Sequence, residues 1–310
     1  MISRRNFLRI AGATGAAGVL AQPGSAFASE GELGANERAV LVDTTKCVGC
    51  RACEAACSEH NGNPAPSARD DVFESARKTD PNAFTVVNQG PNRPDGSHRF
   101  AKTQCMHCVS PACASACPIK ALEKQPEGPV TYRADRCMGC RYCMVACPFG
   151  IPKTNFDSPA PAIRKCTFCF DRQKEGKAPA CVSVCPSGAL TFGRRAELLD
   201  EAKTRIYSNP GKYERHVYGE TEAGGTNWLY LADVNFSKLG FPSDVEKTSY
   251  PDLMKGALSA PPFVMTLWPP LLMGLYTFAH KRHKAVRSSE DNHENSHGDA
   301  HGGGAHGKER

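Results

Sequence analysis

The residues of this 310-residue chain best equipped for chemistry are its 16 Cys, which fall into four groups of four with none left over. The first group, CVGCRACEAAC, holds Cys47, Cys50, Cys53 and Cys57, and the third, CMGCRYCMVACP, holds Cys137, Cys140, Cys143 and Cys147. The second, CMHCVSPACASACP, has four residues before its third Cys and supplies Cys105, Cys108, Cys113 and Cys117. The fourth is stretched, CTFC and then CVSVCP after eleven residues, giving Cys166, Cys169, Cys181 and Cys185. Two-two-three spacing is the bacterial ferredoxin run: three thiolates wrap one cubane, and the fourth serves a second cluster. On this reading the fourth Cys starts the following helix and faces away, so blocks must come in pairs.

Zinc prefers closed two-plus-two ligand sets, which three-plus-one spacing does not supply. Eight disulfides would be permissible in an oxidising compartment, but a repeated ligand pattern without a spare thiol points to iron. Four 4Fe-4S clusters are therefore expected, and no block has lost a Cys that would leave a 3Fe-4S centre. Gly49, Ala52, Ala112 and Gly139 are small enough to bring the backbone close to an inorganic core. Pro118, Pro148 and Pro186 follow the last Cys of three blocks and fix the chain's exit. Ser58 stands in that position in the first block.

These ligands require a scaffold of class α+β: two tandem, nested ferredoxin-like dicluster units, followed by one C-terminal transmembrane helix. Only 19 residues separate Cys117 from Cys137, so blocks two and three (105–147) share the inner unit. Blocks one (47–57) and four (166–185) then form the outer unit, within a four-cluster body spanning 29–207. Short apolar runs, Ala39 to Val42 and Ala189 to Phe192, fit the small strands beside ferredoxin helices. Residues 196–206 read as a packed surface helix. The insertion at 58–104 is long enough to shield a cluster or cover a partner, and 208–257 reads as a C-terminal extension. Units this small bury little apolar surface, so cluster ligation should supply much of the folding energy.

Both ends lie outside that body. Ser3-Arg4-Arg5-Asn6-Phe7-Leu8-Arg9, an uncharged stretch and the small-residue site Ala26-Phe27-Ala28 read as a twin-arginine export signal over 1–28. Leu258 to Ala279 carries no charge over about 22 residues, the length of a bilayer-spanning helix, giving a span at 258–280. Pro261, Pro262, Pro269 and Pro270 weaken it, a buried hairpin or interfacial segment being the alternative. Lys281, Arg282, Lys284 and Arg287 would stay cytoplasmic, leaving the body outside. Residues 281–310 then form a basic flank and a polar tail with His293, His297, His301 and His306, expected to be disordered.

The block order, QCMHCVSPACASACP, CMGCRYCMVACPFGIPK and HVYGETEAGGTNWLYL (His216 to Leu231) together resemble the four-cluster ferredoxin-like subunits of membrane-bound periplasmic oxidoreductases. These include the beta subunits of formate dehydrogenase and dimethyl sulfoxide reductase. The chain is most similar to the HybA-type iron-sulfur subunits of membrane-bound nickel-iron hydrogenases, which share its signal, four blocks, single span and His-containing tail. The resemblance covers nearly the whole chain. It implies that the first three Cys of a block are completed by the last Cys of the partner block. Cys47, Cys50, Cys53 and Cys185 would hold one cluster, and Cys57, Cys166, Cys169 and Cys181 its neighbour. The inner unit would use Cys105, Cys108, Cys113 and Cys147 on one site and Cys137, Cys140, Cys143 and Cys117 on the other.

A series of one-electron centres is a wire, and nothing in the sequence supplies substrate chemistry. Glycine patterns for dinucleotide or phosphate binding and a nucleophile elbow are missing. The formal charge of +6 is spread along the chain, without the basic footprint of a nucleic-acid binder. The expected role is a non-catalytic electron-transfer subunit at the periplasmic face of the inner membrane. It would link a catalytic subunit, nickel-iron hydrogenase or alternatively a molybdenum enzyme such as formate dehydrogenase or polysulfide reductase, to an integral membrane quinone-reactive subunit. Cluster charge also alters the balance. Cleavage after Ala28 removes Arg4, Arg5 and Arg9, and each oxidised cluster with four thiolates brings net −2, so the loaded mature chain turns acidic.

Overall fold

A three-stranded sheet organises the first half of the site. In the computed structural model, which describes residues 34–68, 70–156 and 162–298, β1 (Arg38–Asp43) lies between β8 (Leu190–Arg194) and β9 (Trp228–Leu231). It pairs antiparallel with β8, Val40 opposite Phe192, and parallel with β9, Val40 opposite Trp228. Alternation along the strands gives the sheet two buried faces. Ala39, Leu41, Leu229 and Leu231 pack against Leu198 and Ala202 of helix α6 (Arg195–Ser208). Val40, Val42, Trp228 and Tyr230 face the other way, into a cluster with Phe168 and Cys181. The buried Asp43 carboxylate ends β1 and accepts from Tyr213 Oη at 3.0 Å and Arg205 Nη1 at 3.1 Å, tying α6 to the sheet.

The extension is part of this core. β9 is wholly buried, and the segment before it binds the loop of block two: Asn227 N–H donates to Met106 O and Val109 N–H to Gly225 O. The stretch from His216 to Leu231 is thus a strap under a ligand loop.

The insertion is anchored inward as well. Its hairpin, β2 (Thr85–Gln89) with β3 (Phe100–Gln104), sits beside helix α1 (Ala52–Asn61). The buried Glu54 carboxylate joins them, accepting from Val87 N–H at 2.5 Å, Arg77 Nη2 at 2.6 Å and Arg51 Nη2 at 2.8 Å. These donors hold the carboxyl below its usual range despite burial.

Smaller hairpins frame the inner blocks. β4 (Leu122–Lys124) pairs with β5 (Val130–Tyr132), and β6 (Lys153–Thr154) with β7 (Ile163–Arg164). Leu122, Val130 and Ile163 form a core with Cys113 and Cys143. Four short helices carry the ligands: α1, α2 (Ala112–Ser115), α3 (Tyr142–Ala146) and α5 (Ala180–Ser183); α4 (Phe170–Lys174) lies between the halves of block four.

The first unit ends at Ser249, and the second, Tyr250–Arg310, contains one long helix, α7 (Tyr250–Gly298). The four prolines lie inside α7. Among the described residues, no helix is long and apolar enough to cross a membrane. The span expected at 258–280 is thus not confirmed. The helix also continues through the segment where polar composition predicts disorder, because no Gly or Pro interrupts it between Leu275 and His297. His293 and His297 fall within it. The signal segment 1–28, His301 and His306 lie outside the described residues.

Candidate functional site

Every block builds its ligand loop in the same way. The residue before the second Cys is left-handed in all four: Gly49 (φ 72°), His107 (φ 46°), Gly139 (φ 74°) and Phe168 (φ 58°). The third Cys is the second residue of a helix: Cys53 in α1, Cys113 in α2, Cys143 in α3 and Cys181 in α5. The fourth Cys does not start a following helix, as the spacing suggested. Cys57 lies one turn further along α1, and Cys117, Cys147 and Cys185 come beyond the ends of α2, α3 and α5. Proline explains those early ends, since it cannot continue a helix. In each case the carbonyl of the fourth Cys accepts from the residue three on: Lys120 at 3.2 Å, Gly150 at 3.0 Å and Gly188 at 3.4 Å. Ser58, having an N–H, lets α1 run to Asn61, where Gly62 ends it at φ 62°.

All sixteen thiols are free of disulfide bonds. Cys47, Cys50, Cys53 and Cys185 line one cavity together with Val42, Val87 and Lys102. The other thiols are grouped by their mutual influence. Burial raises Cys57 to about 12, with Cys181 and Cys169 adding to the rise. Burial likewise raises Cys108, with Cys147, Cys105 and Cys113 adding to the rise. Cys143 rises to about 11 through burial, Cys137, Cys117 and Cys140. Influences also run between the groups: Cys181 acts on Cys53, Cys105 on Cys166, and Cys143 on Cys113. Cys57, Cys105 and Cys166 share one buried cluster, with Cys147 packed against it.

The donor set fits iron-sulfur ligation. Thiols this deeply buried stay protonated in the metal-free protein, and iron supplies the charge that makes them thiolates. Backbone amides already aim at sulfur: Ala121 N–H at Cys117 Sγ, 3.2 Å, and Phe168 N–H at Cys166 Sγ, 3.4 Å. Among the described residues no three His, Cys, Asp or Glu side chains converge as they would on a single metal ion. Thiolates of a cubane each bind a different iron atom and need not converge, so a lone zinc or iron ion is the poorer fit.

Three buried side chains escaped the sequence reading. Lys102 Nζ donates to Gln104 Oε1 at 2.8 Å and lies 4.4 Å from the Trp228 ring centre, while Gln104 Nε2 donates to Tyr230 Oη at 2.5 Å. His107, fully buried, accepts from Val130 N–H at 2.9 Å through Nδ1 and stacks on Phe168 at 4.8 Å. A lysine on the inward side of FAKTQ was the available signal, but it needed the strand's orientation.

Comparison with known proteins agrees with this chemistry. Residues 97–195 match the 4Fe-4S dicluster domain family, and residues 1–21 match the twin-arginine translocation signal family, which marks the chain for export. A protein of Nitratidesulfovibrio vulgaris is 47% identical, covering 93% of this chain and 80% of its own length. The hydrogenase-2 operon protein HybA of Escherichia coli O157:H7 is 36% identical, with 78% of this chain and 84% of that protein covered. The iron-sulfur subunit of the nitrate-inducible formate dehydrogenase of Escherichia coli K12 is 35% identical over 72% and 78% of the two chains. Ligand loops of the ferredoxin type and these relatives lead to one conclusion: the chain belongs to the family of HybA and the formate dehydrogenase iron-sulfur subunits and is an electron-transfer iron-sulfur subunit.

Proposed function

We propose that the sixteen Cys hold four 4Fe-4S clusters in a linear series. In this reading the Cys47, Cys50, Cys53, Cys185 set stands at one end. Next come Cys57, Cys166, Cys169, Cys181, then Cys105, Cys108, Cys113, Cys147, and finally Cys137, Cys140, Cys143, Cys117. The observation that carries it is the cavity lined by Cys47, Cys50, Cys53 and Cys185, three thiols of block one with the last of block four. The clusters supply one-electron storage; the chain supplies spacing, burial and charge. Fully reduced holo-protein should give interacting signals near four spins per chain, and two spins would sink the series.

Its ends differ from its middle in exposure. Cys50 and Cys140 are the two exposed ligands, and Met138, Tyr142, Val145 and Phe156 form exposed apolar residues around or near the Cys140 loop. This supports transfer of electrons between a periplasmic catalytic subunit and a membrane quinone-reactive subunit through the two terminal sites. Nickel-iron hydrogenase is the proposed catalyst, in keeping with the likeness to HybA and a signal match at residues 1–21. The formate dehydrogenase likeness supports a molybdenum partner as the second reading. Gentle purification of the complex separates them: nickel supports the first, molybdenum or tungsten the second.

Helix α7 is proposed as the membrane attachment. It exposes Leu267, Trp268, Leu271, Leu272 and Phe278 ahead of Lys281, Arg282, Lys284 and Arg287. Without partner subunits, a chain cut after Ser249 should leave the membrane fraction with its clusters; retention there would defeat the attachment.

A further inference from the structure

Lys102 is buried with no carboxylate partner among the described residues. A lone ammonium removed from water costs several kcal/mol unless charge or hydrogen bonds compensate it. Its neutral contacts are the Gln104 amide oxygen and the Trp228 face. The anions that would compensate it are the thiolates of bound clusters: the Trp228 ring it faces packs in one buried cluster with Cys181, with Cys53 and Cys185 against it, and Cys181, Cys53, Cys166 and Cys57 all favour its charged form, against the desolvation that disfavours it. The same ammonium lines the cavity of Cys47, Cys50, Cys53 and Cys185. Lys124 differs, because Glu37 Oε2 lies 2.6 Å from its Nζ and cancels much of its field.

We propose that Lys102 is an electrostatic positioning residue of the electron path: its buried ammonium stands between the Cys47 set and the Cys57 set and raises the reduction potentials of the clusters they hold. The role rests on the four-cluster reading. Each one-electron reduction makes a site one charge more negative, and no proton or bond need change. A fixed cation in a low-dielectric interior favours the added electron, and net charge is among the main determinants of cluster potential. Gln104 and Tyr230 hold the cation in place. Trp228, on the face of β9 opposite α6, contributes a cation–π contact and keeps water away.

The test is a reductive titration of the full-length holo-protein, followed by electron paramagnetic resonance, after iron, sulfide and spin counts. Lys102→Met should shift the potentials of two clusters downward and leave the other two unmoved, while Lys102→Arg, which keeps the charge, should restore them. Lys102→Gln, neutral but able to bond Gln104, serves as the second variant should methionine fail to load its clusters. Four loaded clusters with unshifted potentials, or one equal shift of all four, would overturn the role of Lys102. A wild-type count below four would instead defeat the four-cluster reading.

Discussion

The ligand loops of blocks one and three differ from those of blocks two and four most clearly before the second Cys. Gly49 and Gly139 occupy that left-handed position beside the exposed Cys50 and Cys140. His107 and Phe168 occupy it in the other pair, where both rings are fully buried and stacked. Left-handed backbone costs a residue with a Cβ about 1–2 kcal/mol. Glycine avoids that cost where the loop meets solvent. In the centre, Phe168 also packs against Trp228 at 5.7 Å and Phe192 at 6.4 Å, and burial of that size outweighs the strain. The shared Cys-x-x-Cys start of each block thus takes two forms: the glycine loops lie beside the exposed Cys50 and Cys140, and the aromatic loops pack on each other in the buried interior.

Ligand removal should show the contrast most strongly. Cys108→Ser lies in the middle of the proposed series and should abolish electron transfer along it, with loss of spin from more than one site. Cys140→Ser, at an exposed end, should cost one cluster and leave about three spins, because little packs over it. Iron content and spin count on the two purified variants measure this. Equal damage from both would erase the distinction between centre and end.

Side-chain truncation comes next. Phe168→Ala should destabilise the loaded body by about 3–5 kcal/mol, the usual loss for a fully buried phenylalanine. Val145→Ser, at a position 87% exposed, should change stability by less than about 0.5 kcal/mol. Thermal release of the clusters, followed by visible absorbance, compares them. A small effect of Phe168→Ala would mean that the aromatic junction does not hold the units together.

Much of this contrast could be read in the sequence, and the part that could not has a physical cause. The four blocks were legible because ligand spacing is local: three of a ferredoxin cubane's four thiolates come from one block. The Ala39 to Val42 and Ala189 to Phe192 runs do form strands, paired across β1 and β8. The helix expected at 196–206 forms over Arg195–Ser208. The aromatic stack was hidden because His107 and Phe168 are 61 positions apart and meet only through tertiary packing. Lys102 and β9 were missed for the same reason: whether a strand residue points at a cluster or at solvent depends on pairing partners distant in sequence.

Block one departs from its companion in a second way, at Ser58. Ser58→Pro would give block one the Cys-Pro pair of the other three. It should nonetheless destabilise by about 3 kcal/mol, because the ring clashes in a helix interior and the N–H is lost. Helical signal and cluster loading of this variant would show the cost. If it behaves like wild type, the length of α1 is incidental and the block follows the common pattern.

The smallest expected effects separate the two glycine loops themselves. Gly139→Ala meets nothing within 4 Å, so only the left-handed φ of 74° opposes it, at about 1–2 kcal/mol. Gly49→Ala carries the same backbone cost at φ 72°, but its Cβ would stand 2.6 Å from the Phe100 ring. That ring packs on Phe73 at 5.1 Å and belongs to β3, two residues before Lys102. Displacing it should therefore cost more than the backbone alone and shift the spectrum of the cluster proposed at Cys47, Cys50 and Cys53. Gly139→Ala should leave its own cluster's spectrum nearly unchanged. Equal losses from the two substitutions would show that Phe100 yields freely, and that the insertion only rests on the first ligand loop without bracing it.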